Sequence, residues 1–293
     1  MRPGSAHHDS RILQLTRFAS LGSGSRGNGT VVEIGNERIL VDCGFTLKQA
    51  EARLARIDLK PADLTAILVT HEHSDHIGGV GALAYKYAIP VFASFGTLDS
   101  SRKSASVVGS AISAHNPFRI GAVEVTPVVV PHDAREPTQF VFRHDGGSVG
   151  VVSDLGCVTP FVIEQFSGLD GLLMESNYDL HMLTNGRYPE RVKRRIASDL
   201  GHLSNEQAAG FLAEIAHSGL TVVVGHVSEE NNHPDLLGDA FGAYQDRVRG
   251  LTFATQEEGA AWQEVAPASR GSTEGSSTQA ESDSGVDEVL SLG

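Results

Sequence analysis

Apolar and polar positions alternate in short blocks along most of the chain, and their period changes from block to block. Runs with a two-residue period or a continuous apolar stretch read as strands at Leu13–Leu21, Val31–Ile34, Arg38–Asp42 and Ala66–Thr70. Gly35-Asn36 turns the second of these into the third. Further strands are predicted at Val91–Ala93, Val123–Val130, Gln139–Arg143, Ser148–Ser153, Gly171–Met174, Thr221–Val224 and Leu251–Ala254, with a turn at Asp145-Gly146-Gly147. Helical spacing falls on Leu47–Ile57, His76–Ala88, Thr159–Phe166, Pro189–Leu200 and Asp235–Val248. Another helix opens at Ser204, where Gln207 completes a capping-box pattern. Meanders outnumber strand–helix–strand units, so the pattern predicts a mixed α/β (α+β) protein and not a doubly wound sheet.

The two ends do not fit this pattern. Residues 1–12 have no periodicity, and residues 263–293 are rich in Ser, Gly, Thr and Glu, with too little apolar surface to order. The expected organisation is a disordered N-terminus at 1–12, one domain at 13–262, and a disordered acidic tail at 263–293. The tail holds six acids against Arg270, which accounts for −5 of the formal charge of −13. That balance disfavours a protein that coats nucleic acid over a broad face. It does not exclude a local contact, because Arg187, Arg191, Lys193, Arg194 and Arg195 fall close together. No apolar run reaches the roughly 20 residues of a membrane span. The polar first ten residues lack the apolar stretch of a secretory signal. Cys43 and Cys157 are too few for a disulfide framework. The expected setting is therefore cytoplasmic, without membrane contact, and the pattern leaves monomer or homodimer open.

The chemistry begins at the end of the strand Ala66–Thr70. His71, His73, Asp75 and His76 follow within six residues, all of them metal-ligand types. His132, Asp154 and His226 each come directly after an apolar strand, where loops gather at a sheet edge and carry function. Taken together, these seven residues are the expected metal ligands. Neutral imidazole and carboxylate favour zinc, and the carboxylates would also accept manganese or iron.

These motifs resemble the metallo-β-lactamase superfamily, whose HxHxDH motif corresponds to His71, His73, Asp75 and His76. The resemblance covers nearly all of residues 15–260. It implies a four-layer αββα sandwich with two divalent metal ions, one held by His71, His73 and His132 and the other by Asp75, His76 and His226. Asp154 would bridge the two ions, and Asp42 would support the site from behind. The stretch Ser20–Asn28, together with Glu175-Ser176-Asn177 and Gly201–Glu206, is similar to the YycJ/WalJ subgroup, which is related to the cyclic phosphodiesterase of the phosphonate pathway and to tRNase Z. Where that subgroup usually carries His, this chain has Tyr178.

The resemblance implies phosphodiester hydrolysis, as a DNA exonuclease, by a metal-bridging hydroxide, with nucleic acid or a small phosphodiester as substrate. In this scheme Asp75 orients the nucleophile and His202 acts as the acid. Ser23, Gly24, Ser25 and Asn28 are expected to contact substrate through a backbone anion nest, and His181 to line the site. Arg191 could share a helix face with Arg194 or Arg195 toward a phosphate backbone. The 72 residues from Asp154 to His226 are too few for the inserted clamp domain of the RNA-processing branch. A thioester or lactone hydrolase of the glyoxalase II type is the enzymatic alternative. A non-catalytic metal-binding interaction module is the second.

Overall fold

The structure is a computed structural model that describes residues 15–101 and 107–267. The expectations for residues 1–12 and for the tail from 268 onward lie outside the described residues.

The first sheet takes in β1 (Thr16–Gly22), β2 (Gly29–Ile34), β3 (Glu37–Val41), β4 (Ala66–Val69), β5 (Val91–Ser94) and β6 (Ser110–Ile112). The second holds β7 (Phe118–Ile120), β8 (Val123–Val129), β9 (Thr138–His144), β10 (Gly147–Val152), β11 (Gly171–Glu175), β12 (Thr221–Gly225) and β13 (Gly250–Phe253). The chain then returns to the first sheet, where β14 (Ala260–Val265) pairs antiparallel with β1. The strand orders are β14-β1-β2-β3-β4-β5-β6 and β7-β8-β9-β10-β11-β12-β13.

Both sheets share one plan. Pairing is antiparallel up to β3 and up to β10, and parallel beyond them. The expected excess of meanders is therefore absent, and antiparallel and parallel pairs balance. The parallel halves place the C-terminal ends of successive strands at a single edge. That edge carries Asp42, His71, His132, Asp154, Glu175 and His226.

The inner faces of the two sheets meet over Phe18, Val32, Ile39, Leu68, Phe140, Phe142, Val151 and Val223, all buried. Each fully buried Phe or Val contributes on the order of 1.5–3 kcal/mol. On the outer face of the first sheet lie α1 (Leu47–Arg56) and α3 (Val80–Tyr87), with the short α2 (Ser74–Ile77) and α4 (Phe95–Ser101) beside them. On the outer face of the second lie α5 (Pro160–Phe166), α8 (Asn205–Ile215) and α9 (Pro234–Phe241). The remaining helices, α6 (Leu180–Asn185) and α7 (Glu190–Ile196), lie between β11 and α8. The result is the four-layer αββα sandwich that the resemblance implied.

Several boundaries differ from the sequence pattern. The single helix expected at His76–Ala88 is two helices separated by Gly78-Gly79, and Gly79 packs so close to the Phe45 carbonyl that a Cβ there would overlap it. The helix expected over Pro189–Leu200 ends at Ile196, and that over Asp235–Val248 passes into a 3-10 turn at Gly242–Tyr244. The capping box of α8 is present, with Ser204 and Gln207 bonded reciprocally. The domain edge expected at 262 falls inside β14. Gln263, Glu264 and Val265 are paired with β1, and the neighbouring Trp262 is held by Ile57 O at 3.0 Å and by the Arg17 guanidinium over its ring.

Candidate metal centre

Six strand ends deliver side chains to the shared edge: Asp42 after β3, His71 after β4, His132 after β8, Asp154 after β10, Glu175 at the end of β11 and His226 after β12. His73 and Asp75 follow His71 in the loop into α2, and His76 lies on α2 itself. Two non-glycine residues at this edge, Asp42 and His226, have left-handed backbones, with φ of 61° and 50°. Such strain persists only where surrounding bonds enforce it. At His226 the Ser23 hydroxyl accepts from its N–H at 2.6 Å, and Asn177 Nδ2 donates to its carbonyl at 2.9 Å.

Tautomers follow from the partners. Asp42 accepts from Thr70 N at 2.8 Å and from the Thr70 hydroxyl at 2.7 Å, and its Oδ2 lies 2.8 Å from His76 Nδ1. A carboxylate can only accept, so His76 Nδ1 carries the proton and Nε2 is left with a lone pair. Thr70 gives its hydroxyl proton to Asp42 and can then accept from His71 Nδ1, 2.9 Å away. One carboxylate thus fixes two imidazoles with Nε2 turned inward. His132 Nδ1 donates to the Gly201 carbonyl at 3.0 Å, again freeing Nε2. Glu175 does the same for His202 and His226, whose Nδ1 atoms lie 3.1 and 3.2 Å from its Oε2.

The freed atoms converge. His71 Nε2 is 2.9 Å and His132 Nε2 is 3.2 Å from His73 Nδ1. Tetrahedral ligands about 2.0–2.1 Å from zinc lie about 3.3 Å from one another, so this spacing suits one small cation. Asp75, His76 and His226 form a second group whose donor atoms all lie within 4.8 Å of one another. Asp154 stands between the groups, with Oδ1 3.6 Å from His132 Nε2 and Oδ2 3.0 Å from His76 Nε2. Asp154 Oδ2 and His226 Nε2 are buried without a hydrogen-bond partner. Buried polar atoms are rarely left so, and a shared cation would satisfy both. The donor set therefore fits divalent metal ions.

The electrostatics agree. Burial pushes His71 well below the ordinary histidine range, and likewise lowers His132. Burial also opposes charge on His76 and His226, yet the carboxylates around them prevail. Asp154, Asp75 and Asp42 raise His76 well above its usual range, and Asp154, Asp75 and Glu175 raise His226 to about 10. Asp75 and Asp154 are held low against burial by the same histidines. Protons here occupy the place of a cation, which would displace them on binding.

A cavity of about 380 Å³ opens over this cluster. Its floor includes His73, Asp75, Asp154, His202 and His226, and its far wall is Tyr188, Val192, Arg195 and Ile196. His202 thus lines the same cavity as the metal donors. The other substrate contacts expected from the sequence are redistributed. Ser23 and Asn28 are buried, and the loop's N–H groups are already used: Ser23 to Thr255 O, Gly24 to Asn28 Oδ1, Arg26 to Gln256, Gly27 to Gly24 O and Asn28 to Asp75 O. No anion nest opens from Ser23, Gly24 and Asn28. Instead they brace the donors, with Asn28 Nδ2 3.3 Å from Asp75 Oδ2. Ser25 alone among the four lines the cavity. His181, expected to line the site, is exposed on α6 and outside the lining of this cavity. Tyr178 is buried and bridged to Ser204.

Glu175 was not singled out from the sequence as a site residue. Its signal was the one that marked Asp154, an acid directly after a buried apolar strand.

A beta-lactamase superfamily domain matches residues 37–226, from β3 to the last histidine. The exodeoxyribonuclease WalJ of Streptococcus pneumoniae (serotype 2, strain D39) is 37% identical over 233 residues, which cover 75% of this chain and 84% of that protein. The exodeoxyribonuclease YycJ of Bacillus anthracis is 36% identical over 230 residues, covering 75% and 85%. The crystal structure of YhfI, a metallo-β-lactamase fold protein from Bacillus subtilis, matches with a TM-score of 0.65 at 17% identity, over 85% of this chain and 99% of that one. With its donors at the strand ends of an αββα sandwich and these relatives alongside, the chain belongs to the metallo-β-lactamase superfamily and, within it, to the WalJ/YycJ family.

Proposed function

We propose that this chain is a two-metal phosphodiesterase that shortens DNA from an end, as an exodeoxyribonuclease. The observation that carries the reading is the position of Asp154 between the two donor groups, with Oδ1 3.6 Å from His132 Nε2 and Oδ2 3.0 Å from His76 Nε2. His71, His73 and His132 would hold one ion, Asp75, His76 and His226 the other, and Asp154 both; zinc suits this nitrogen-rich set. Bound there, the ions supply Lewis acidity, lowering the pKa of water and offsetting charge on a phosphoryl group. The names of the WalJ and YycJ relatives support DNA as substrate.

The chain's own residues supply the rest. Asp75 is ionised, lines the cavity and accepts from the attacking water, setting its direction. His202 donates a hydrogen bond from Nδ1–H to Glu175 Oε2, which leaves Nε2 for the cavity it lines. The buried Glu175 carboxylate fixes the ring's orientation, so that Nε2 is the atom from which a proton would pass to the leaving oxygen. Tyr188, Val192 and Ile196 offer an apolar wall to a sugar or base.

The test is hydrolysis of end-labelled single- and double-stranded DNA and RNA with Zn²⁺, Mn²⁺ or Fe²⁺, run beside S-lactoylglutathione. Stepwise loss of DNA label is expected. Turnover of the thioester with no nucleic-acid cleavage would overturn the reading in favour of the glyoxalase II type.

A further inference from the structure

Helix α7 meets the cavity through Val192, Arg195 and Ile196. At about 100° per residue, Arg191 lies next to Arg195 around the helix, and Arg194 lies beyond Arg191, farther from the cavity. The three positions thus follow one another around the helix as a stripe that begins at the cavity wall with Arg195 and leads away from it. The inner member is fixed, because Arg195 binds Asp133, the neighbour of His132, through Nε and Nη2. Lys193 on the opposite flank reaches the Thr184 carbonyl at 2.7 Å and Glu190 at 3.3 Å, which pins the helix. Arg191 and Arg194 are exposed, and among the described residues neither has an acidic partner.

Several surface cations elsewhere are paired with acids, while Lys48, Lys60, Arg135, Arg247 and Arg249, like Arg191 and Arg194, have no acidic partner among the described residues. Arg26 binds Glu229 and Glu257, Arg56 binds Glu258, and Arg187 binds Glu230. With a formal charge of −13, the chain has acids to spare for Arg191 and Arg194. Two arginines without an acidic partner among the described residues, next around the helix to a third on the cavity wall, suit an anionic polymer that enters the site at one end. An isolated phosphodiester seated in the cavity would meet Arg195 but neither of the others.

We propose that this stripe is the track for the DNA strand outside the cavity. Arg195 faces the phosphate nearest the reacting one, and Arg191 and Arg194 neutralise phosphates farther along. The inference rests on the phosphodiesterase reading above and adds that the enzyme is built for a polymer rather than a dinucleotide. Phosphate contacts of this kind act through counterion release, which lowers log K by about 0.7 per contact for each unit of log salt on a single strand.

The experiment compares wild type with R191A/R194A on a dinucleotide and on a long single-stranded oligonucleotide over a range of salt concentrations. Dinucleotide cleavage is expected to be unchanged, which also reports an intact fold. KM for the oligonucleotide is expected to rise about tenfold or more near physiological salt, and its salt slope to shrink by about 1.4. A second variant, R191K/R194K, keeps both charges and should retain most of the oligonucleotide preference. The proposal is overturned if R191A/R194A changes both substrates by the same factor, or if the lysine pair loses the preference as fully as the alanine pair. Those outcomes leave phosphodiester cleavage by the wild type standing. If the wild type cleaves neither substrate with any metal, the phosphodiesterase reading itself fails.

Discussion

The Ser23 hydroxyl oxygen lies 2.6 Å from the backbone nitrogen of His226 and accepts its N–H. The two residues are 203 positions apart, and the bond ties the first loop of the chain to the last histidine of the site. It explains the glycine-rich turn after β1. The loop brings a short acceptor against a strained backbone, and Asn28 fills the space beside it with bonds to Gly24 and Asp75. Ser23→Ala leaves a buried N–H without an acceptor, a loss of about 1–3 kcal/mol. It also frees His226 to leave its left-handed conformation. Metal affinity at that group is expected to fall about 10- to 100-fold. Denaturant unfolding of the metal-free protein and competition with a chelator measure the two effects, and an unchanged affinity would show that Asn177 and Glu175 hold His226 unaided.

Asp42→Asn isolates a different contribution. Asparagine tolerates a φ of 61° about as well as aspartate, so the backbone is not disturbed. The new Nδ2 donor would face the Thr70 hydroxyl and His76 Nδ1. The hydroxyl must then donate toward His71 Nδ1, and both imidazoles are driven to carry their proton on Nε2. One atom exchange thereby blocks two donor atoms at once. Circular dichroism should remain that of wild type while bound metal, counted by elemental analysis after gel filtration, falls sharply. Full metal content in D42N would contradict the tautomer assignment.

Much of this centre is legible in the sequence because its donors obey one rule, a ligand-type residue directly after an apolar strand. His71, His132, Asp154 and His226 were found that way, and the density of the His71–His76 cluster made it unmistakable. Glu175 obeys the same rule. It was passed over because an acid at a strand end can equally face solvent, and nothing local marks its four-way bonding. The sequence alone points Ser23 and Asn28 toward substrate, because a small polar loop looks the same whether its N–H groups face a cavity or the protein. Only tertiary pairing, such as Gln256 with Arg26 and Gly27, separates the two. Among the elements, β14 was missed for a related reason. Ala260–Val265 alternates poorly and runs into a polar tail, and its order comes from pairing with β1, a partner more than 200 residues earlier.

Removing the metal should expose a pH dependence. In the metal-free protein His226 is raised from 6.5 to about 10 by the carboxylates around it, burial notwithstanding. A histidine whose folded pKa exceeds its unfolded value stabilises the fold fully below the unfolded pKa. That stability is lost as pH rises through the folded one. The chelated protein is therefore expected to lose thermal stability progressively from pH 6.5 to about 10. On the acid side, His71 and His132, lowered by burial, must take up protons that the fold disfavours, so stability falls there too. Metal-loaded protein should be flatter across the upper window, because the cation takes the proton's place. A melting temperature for the chelated form that holds level or climbs over that window would refute the assignment.

Glu175 and His202 can be separated by the choice of leaving group. Glu175 accepts from Leu155 N and Leu203 N through Oε1, and from His202 and His226 through Oε2. Glu175→Gln puts a donor against both rings, so it should weaken the metal about 10- to 100-fold as well as slow turnover. His202→Ala removes only the proton donor and should leave metal content intact. If His202 protonates the leaving oxygen, H202A loses about 10²- to 10⁴-fold on DNA, whose departing alkoxide needs that proton. On bis-p-nitrophenyl phosphate the loss should be much smaller, since nitrophenolate leaves unaided. Excess metal should restore occupancy to E175Q without restoring DNA cleavage, because His202 still lacks the carboxylate that orients its ring. Equal losses by H202A on both substrates would reject His202 as the acid and leave it a wall of the cavity.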